Sequence, residues 1–439
     1  MATDFLKLDT IVAPATPLGR GALAIVRVDG PSSKTILQTL GGVTPDERTA
    51  TLTQLTLNAE LLDECIAVRY AAPYSFTGND LVELTLHGSP LLVERVIAAI
   101  VQLGARLAEP GEFTERAVLN GKLDLIQAES IADLINSRTA LQARLSLGNL
   151  HGVLSRRAAA IRESLLHVIS RLEAALDFSE EGYEFIARDE AFRLIERAIT
   201  ETDALAESFR RGKATISGLT AVILGRPNAG KSTLLNRLVG SDRAIVTAIP
   251  GTTRDIVRET IEIGGLPVTI ADTAGLRISG DLVEEIGVER ARMAGAQADI
   301  VLYLVDSAVG LTDEDELDAF PDAMVIYTKV ELAPQPPGAF GISVVEERGI
   351  DELLGRLDVL VRDEYAAPEG SLVNERQSQS VRGCADALKT ANASLKDGLS
   401  DEVILVDLYR ASTALGLLTG AITQEEVYTE IFSKFCIGK

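Results

Sequence analysis

The sequence predicts a chain of mixed α/β and α class: an N-terminal domain of helices and strands, a helical bundle, and a second α/β domain inserted into the bundle. Three observations predict it. Residues 1–120 carry short β-rich runs, ALAIVRV at 22–28 and DLVELTLHG at 80–88, separated by Gly and Pro turns. From about 123 to 215 the pattern turns helical, and Ile161, Leu165, Val168, Ile169, Leu172 and Leu176 fall on one face with charges between them. Near 217 it changes again: TAVILG (220–225), ADIVLYLVD (298–306) and AMVIYTK (323–329) alternate with helical stretches, as in a parallel sheet. APQPPGAFG (333–341) reads as a loop, and helical composition resumes at about 371. The expected domains are 1–120, 121–215 with 371–439, and 216–370 between the two helical parts.

Composition narrows the partners. A length of 439 residues suggests roughly three domains of about 150 residues each, and 46% hydrophobic residues suffice for a sizeable core. No run reaches the roughly 18 apolar residues of a membrane span, and MATDFLKLDTIVAPATP lacks the basic-then-apolar order of a secretory signal. Three scattered cysteines (Cys65, Cys384, Cys436) make no disulfide framework, so a reduced, cytoplasmic setting is expected. The net charge of −22 opposes wrapping a nucleic acid over the whole surface. SRR at 155–157 and FRRGK at 209–213 are the local candidates for RNA contact, or else solvated helix faces. The tail FCIGK (435–439) resembles a prenylation box, but Gly438 and Lys439 supply neither the aliphatic nor the terminal residue it needs.

The inserted domain carries the chemistry. GRPNAGKS at 225–232 is a complete GxxxxGK[ST] between a strand and a helical LLNRL. Its glycines let the backbone of Asn228, Ala229, Gly230, Lys231, Ser232 and Thr233 surround phosphates, with the positive end of the helix directed at them. Lys231 pairs with the β- and γ-phosphates, and the Ser232 hydroxyl ligates magnesium. GTTRD at 251–255 offers Thr253 as a second magnesium ligand. DTAG (Asp272, Thr273, Ala274, Gly275) follows an apolar strand, so Asp272 can hold the metal through water and the Gly275 N–H can face the γ-phosphate. The two motifs together resemble a GTPase of the translation-factor-related group.

Base recognition is expected at a later strand end, where Thr328, Lys329 and Glu331 stand in TKVE instead of the usual Asn-Lys-x-Asp. The acidic residue normally takes both guanine N–H donors, which Glu331 can do if its extra methylene is accommodated. Thr328 lacks the amide that normally braces both the base and the P-loop. Ser343 and Val344, where related proteins have Ser-Ala, suit a backbone contact to the base. GTP is expected over ATP, with reduced specificity or affinity.

Water activation needs a further group. The position after DTAG, where Ras-like enzymes carry glutamine, is Leu276, and no arginine finger is visible. Two acidic candidates lie in DLVEEIGV (281–288). Asn228 either gives its carbonyl oxygen to a monovalent cation, completed by carbonyls of the 247–252 loop, or is a tight-turn residue. A potassium ion there would neutralise charge developing on the leaving phosphate.

Beyond these motifs, TIVAPATPLGRGALAIVRVDGP (10–31), PYSFTGNDLVELTLHGSP (73–90), PGEFTERAVLNGKLDLIQAESIADLI (110–135), VTAIPGTTRD (246–255), VEEIGVERA (283–291) and IFSKFCIGK (431–439) extend over the whole chain. On these stretches the sequence resembles the bacterial tRNA-modification GTPase family known as MnmE or TrmE. The resemblance implies an N-terminal α+β folate-binding and dimerisation domain, a helical bundle and an inserted Ras-like P-loop GTPase domain. It implies GTP, Mg2+ and K+ as cofactors, with Asn228 and the carbonyls of Thr247, Ile249 and Thr252 holding potassium, in a loop that includes Ala248, Pro250 and Gly251. Ser232 and Thr253 would hold magnesium, and Glu284 would position the catalytic water. Arg27, Glu83, Lys122 and Lys439 match the contacts to 5-formyltetrahydrofolate or a related tetrahydrofolate.

The resemblance further implies a homodimer whose G domains pair in potassium to trigger hydrolysis, away from any membrane. An FAD-dependent partner would join it in a hetero-oligomer, placing an aminomethyl-type group on carbon 5 of the wobble uridine of certain tRNAs. Cys436 is then either part of the modification centre or a small packing residue. HGSP at 87–90 departs from the family's HGGP, where glycine tolerates positive φ, and His87 is a folate contact or a structural turn residue. The alternatives to this activity are a regulatory or ribosome-assembly GTPase switch and a folate-sensing scaffold.

Overall fold

The computed structural model describes residues 9–178, 186–241, 243–245, 258–272, 292–313, 315, 317–421, 431, 432, 435 and 438. Two compact units make up the chain, Met1–Ala132 with Gly416–Lys439, and Asp133–Leu415.

The first unit is built on a six-stranded sheet in the order β3-β4-β5-β2-β1-β6. Its elements are β1 (Ile11–Pro14), β2 (Leu23–Asp29), α1 (Ser33–Gly41), β3 (Thr51–Leu57), β4 (Glu60–Tyr70), β5 (Leu81–His87), α2 (Pro90–Gln102), β6 (Arg106–Leu107), α3 (Glu112–Leu119) and α4 (Leu125–Ile135). Alternation gives the sheet two different faces. Val12, Val26, Val28, Leu84 and Leu86 point into a core shared with Ile36, Leu40, Val96 and Ile100 of α1 and α2. Ile11 and Ala13 point the other way, onto Phe113 of α3. Arg27 and Glu83, opposite one another in the β2–β5 register, stand between residues of the first core and so face the second side.

That second side holds a charged network. Asp29 is fully buried and receives Arg116 at 2.9 Å, while Asn79 donates to it at 3.0 Å and the Thr77 hydroxyl donates as well. Arg116 also donates to Asp9 at 2.8 Å and Glu112 at 2.9 Å, and Arg106 reaches both of those carboxylates at 2.6 Å. The chain's tail closes the unit. Phe432 and Phe435, with ring centroids 5.5 Å apart, pack on Leu125 and Ala128 of α4. Gly438 (φ +97°) lies so close to β1 that a Cβ would sit 1.9 Å from the Pro14 carbonyl oxygen, a place only glycine fits.

Ser89 of HGSP has φ −104° and ψ 121°, ordinary extended geometry at the start of α2, so serine costs nothing where the family has glycine. His87 takes the structural role. Its backbone N–H and Nδ1 both meet Asp63, at 2.9 and 2.7 Å, which ties the end of β5 to β4.

In the second unit, α5 (Ala140–Leu150), α6 (Val153–Asp177) and α7 (Arg188–Ser217) precede a five-stranded sheet of order β11-β10-β7-β9-β8. It contains β7 (Leu219–Gly225), α8 (Lys231–Val239), β8 (Arg258–Ile263), β9 (Leu266–Asp272), β10 (Ile300–Asp306), β11 (Met324–Thr328) and α9 (Ile350–Tyr365), followed by α10 (Glu375–Lys396) and α11 (Asp401–Thr419). All pairings are parallel except β8 with β9. α6 buries Ile161, Leu165, Val168, Ile169 and Leu172 along the expected stripe. Each such side chain contributes about 1.5–3 kcal/mol. The chain enters the sheet after α7 and leaves it after α9, and Thr215 joins the two crossings: its hydroxyl donates to the Tyr365 carbonyl at 3.3 Å and accepts the Ala367 N–H at 3.0 Å. This is how an α/β layer interrupts a helical one with little disturbance.

Burial raises the carboxyls of Asp9 and Glu112, but Arg106 and Arg116 outweigh it and hold both below their ordinary values. A lowered carboxylate stabilises the fold above its unfolded value and loses that contribution as the pH falls through the lowered one. Arg116→Leu should therefore cost about 3–5 kcal/mol at pH 7 in urea unfolding, since Asp29 is left buried without its counter-ion. The acid transition should also move to higher pH. An unchanged midpoint would mean the network adds nothing to stability.

Candidate functional site: a nucleotide-binding P-loop and a polar face of the N-terminal sheet

The P-loop follows β7, a strand buried on both sides. Leu219, Ala221 and Ile223 face one core, and Val222 and Leu224 face the other. Its last residue, Gly225, has φ +132°, and a Cβ there would meet the Leu304 carbonyl oxygen of β10 at 2.2 Å. The loop turns through two more positive-φ residues, Asn228 (+66°) and Gly230 (+91°), into α8 at Lys231. The helix thus begins where the loop's N–H groups converge, an anion-binding arrangement. Lys231 spans the loop, its Nζ donating to the carbonyls of Gly225 at 2.6 Å and Arg226 at 2.8 Å. Arg226 in turn donates to the Thr312 hydroxyl at 2.9 Å.

The base side lies at the ends of β10 and β11, beside the loop. Thr328 is buried, and its hydroxyl donates to the Ala229 carbonyl at 2.8 Å, with the Val305 carbonyl at 3.3 Å. Half of the brace expected to be lost with the amide is therefore present: the hydroxyl ties the P-loop to β11. Lys329 (φ +56°) donates to Asp306 at 2.6 Å. Burial raises the Asp306 carboxyl, but Lys329 and the Ala308 N–H hold it below its ordinary value. The Ser343 hydroxyl, with Glu331's own N–H, keeps the Glu331 carboxyl low. Its Oε2 is sheltered and has no hydrogen-bond partner among the described residues, an acceptor suited to an N–H donor of a ligand. Ser343 is fixed by paired backbone bonds to Arg348 at 2.9 Å, and Val344 packs on the sheet core.

Asn228 through Thr233, Thr328, Lys329, Glu331, Ser343 and Val344 thus gather at the carboxyl ends of the parallel strands. Asp272 ends β9 there, its backbone paired with Ile223 of β7. Asn228 is exposed, in the turn that its residue type tolerates. Thr247, Ala248, Ile249, Pro250, Gly251, Thr252, Thr253, Thr273, Ala274, Gly275, Glu284, Cys436 and Lys439 lie outside the described residues.

In the first unit, Arg27 and Glu83 are joined at 2.7 Å. The Arg27 guanidinium lies 5.4 Å from the Phe76 ring centroid and 5.6 Å from that of Phe113. Lys122 donates to the Pro73 carbonyl at 2.9 Å, so Arg27 and Lys122 both touch the 73–78 loop. Sequence reasoning missed the rest of this surface. Tyr70 reaches the second Glu83 oxygen at 3.4 Å, and burial with the Glu83 charge pushes its phenol up. Arg48 holds the Tyr74 carbonyl and lies over the Tyr70 ring. The aromatic residues of PYSFTG and PGEFTERA were in view as motif, but only the sheet register brings them beside Arg27.

The two basic stretches lie on exposed helix faces and also make contacts within the chain. Arg157 donates to the Gly370 carbonyl at 2.8 Å, Arg156 to that of His151 at 2.8 Å and Arg211 to that of Asp363 at 2.5 Å, while Arg210 lies 5.4 Å from the Tyr365 ring. Among the described residues no helix is long and apolar enough to cross a membrane.

A P-loop on β7, a lysine across it and a base loop after β11 define the class, a P-loop GTPase domain inserted between helices and preceded by an α+β unit. Comparison with known proteins resolves it further. Residues 10–122 match the family described as GTP-binding protein TrmE N-terminus, and residues 125–436 match the MnmE helical domain. Over 98% of its length the chain is 41% identical to tRNA modification GTPase MnmE of Koribacter versatilis and, separately, of Symbiobacterium thermophilum, covering 99% of each. It is 40% identical to the protein of that name from Nitrosomonas europaea, over 98% of this chain and 99% of the relative. The chain belongs to the tRNA modification GTPase MnmE family, and it is a GTPase.

Gly225→Ala should cost about 2 kcal/mol or more, from the strained φ and the backbone clash with Leu304. Binding of a fluescent guanine nucleotide should be lost with it, and normal titration of that variant would remove the close approach as a requirement.

Proposed function

We propose that this enzyme hydrolyses GTP in a potassium-activated cycle that drives modification of tRNA. The exposed Asn228 in the P-loop carries the reading, in a chain with Leu276 where a glutamine would orient water. The residues suit the ligands: helix N-terminus and Lys231 for phosphates, Ser232 for magnesium, and a sheltered Glu331 oxygen for guanine. Asn228 with the carbonyls of Thr247, Ile249 and Thr252 holds the monovalent ion, and Ser232 with Thr253 holds magnesium. Bound there, the two cations offset charge that develops on the phosphates. Glu284 orients the attacking water.

The domains are 1–120, 121–215 with 371–439, and 216–370. The first binds a tetrahydrofolate through Arg27, Glu83, Lys122 and Lys439 and pairs two chains. Carboxylate, cations and the exposed rings of Tyr74 and Phe76 match the polar, planar character of such a ligand. Cys436 falls in sequence between Phe435 and Gly438, both buried on the first unit, and serves the modification centre. With an FAD-dependent partner the homodimer installs an aminomethyl-type group at carbon 5 of the wobble uridine, in the cytoplasm.

Hydrolysis measured in potassium against sodium tests the mechanism. A rate several-fold higher in potassium is expected, and Asn228→Lys should abolish the difference by placing an ammonium at the cation site. Equal rates in both salts would instead favour an ordinary regulatory switch. For Cys436→Ser, loss of the wobble modification with normal GTP turnover is expected, and unchanged modification would remove the chemical role of the thiol.

A further inference from the structure

On the guanine reading above, the base motif TKVE supplies fewer protons to a purine than Asn-Lys-x-Asp would. A threonine hydroxyl has one proton to donate. In Thr328 that proton is directed at backbone carbonyls, Ala229 at 2.8 Å or Val305 at 3.3 Å. The residue is 2% exposed, which shields both bonds from bulk solvent. Both purine acceptors on the edge opposite the N–H donors of guanine, N7 and O6, need a donor from the protein. Glu331, a carboxylate whose Oε2 has no partner among the described residues, has no proton to give and can only face the N–H edge. An amide at 328 could serve the P-loop with one atom and the base with another; the hydroxyl cannot do both.

We infer that this chain recognises guanine without reading N7: the Thr328 proton is spent on the P-loop, so specificity rests on Glu331 and on the backbone near Ser343 and Val344. The position therefore decouples two tasks. Loop bracing is kept, and N7 goes unread, while a backbone N–H near Val344 is left to serve O6.

The test is competition of GDP, 7-deaza-GDP and ADP against a fluorescent GDP analogue on the full chain, read as binding rather than turnover. GDP and 7-deaza-GDP, which carries C–H in place of N7, should compete within about twofold of one another, and ADP far more weakly. A loss of about fivefold or more for 7-deaza-GDP, the range of one neutral hydrogen bond, would overturn the inference while leaving guanine recognition intact. If ADP competes as well as GDP, or no guanine nucleotide binds, the guanine reading falls and the inference with it. Thr328→Asn should create a preference for GDP over 7-deaza-GDP of roughly two- to tenfold, and no new preference counts against the idea. Thr328→Val removes only the hydroxyl, so both guanine nucleotides should weaken together; a loss confined to GDP would mean that the hydroxyl does serve N7.

Discussion

The P-loop is clamped at both ends, and the nucleotide site depends on that clamp. At Gly225 the backbone lies against Leu304 with no room for a Cβ; at Ala229 the carbonyl is taken by Thr328. Across the loop three residues with positive φ, Gly225, Asn228 and Gly230, turn the chain so that α8 starts under the phosphate position. The clamp works because β10 lies between β7 and β11, so the loop is fixed to its neighbour strand and to the next one out. Buried side chains on both faces of β7 keep that strand from shifting. Preorganisation of this kind lets backbone N–H groups meet an anion with little reorganisation.

The N-terminal unit uses a sheet with unlike faces to the same end. Its first face is apolar and closed by α1 and α2; its second face has Phe113 at one place and charge at the others. A buried carboxylate such as Asp29 is tolerable only with Arg116, Asn79 and Thr77 around it. That network secures α3, and α3 in turn brings Phe113 beneath Arg27. The tail is a second support. Gly438 lies against Pro14, whose neighbour Ala13 is paired with Arg27, so Gly438 is held beside the strand that pairs with the one displaying the arginine.

Much of this was legible in the sequence where it follows from local rules. The α6 stripe needs only a 3.6-residue period, and the P-loop needs glycines at fixed offsets between strand and helix. The insertion was visible as a change of period near 217 and again near 371. What could not be read was contact between distant residues. Thr328 and Ala229 are 99 positions apart, and nothing in TKVE announces that a hydroxyl can replace one arm of an amide. Tyr70, Phe76 and Phe113 join Arg27 only through strand register and the seating of α3. The SRR and FRRGK stretches lie on exposed helix faces, one of their two expected readings, but the Gly370 and Asp363 carbonyls that Arg157 and Arg211 meet lie 213 and 152 residues away. For Ser89 the sequence departs from its family without consequence, as its φ is negative.

Burial pushes the Cys384 thiol up to about 12, and burial with the nearby Asp63 charge does the same to Cys65. At neutral pH a thiol with that value is ionised in only about one molecule in 10^5, and the thiolate is the nucleophile. Both are buried, Cys65 in the core of the first unit and Cys384 fully enclosed on α10. Of the three cysteines, Cys436 is thus the one left to carry the thiol role proposed above. Residues on either side of it, Phe435 and Gly438, are held by α4 and by β1. The two aromatic rings of Phe432 and Phe435, with Gly438, a glycine that admits no Cβ, fix the chain on both sides of position 436.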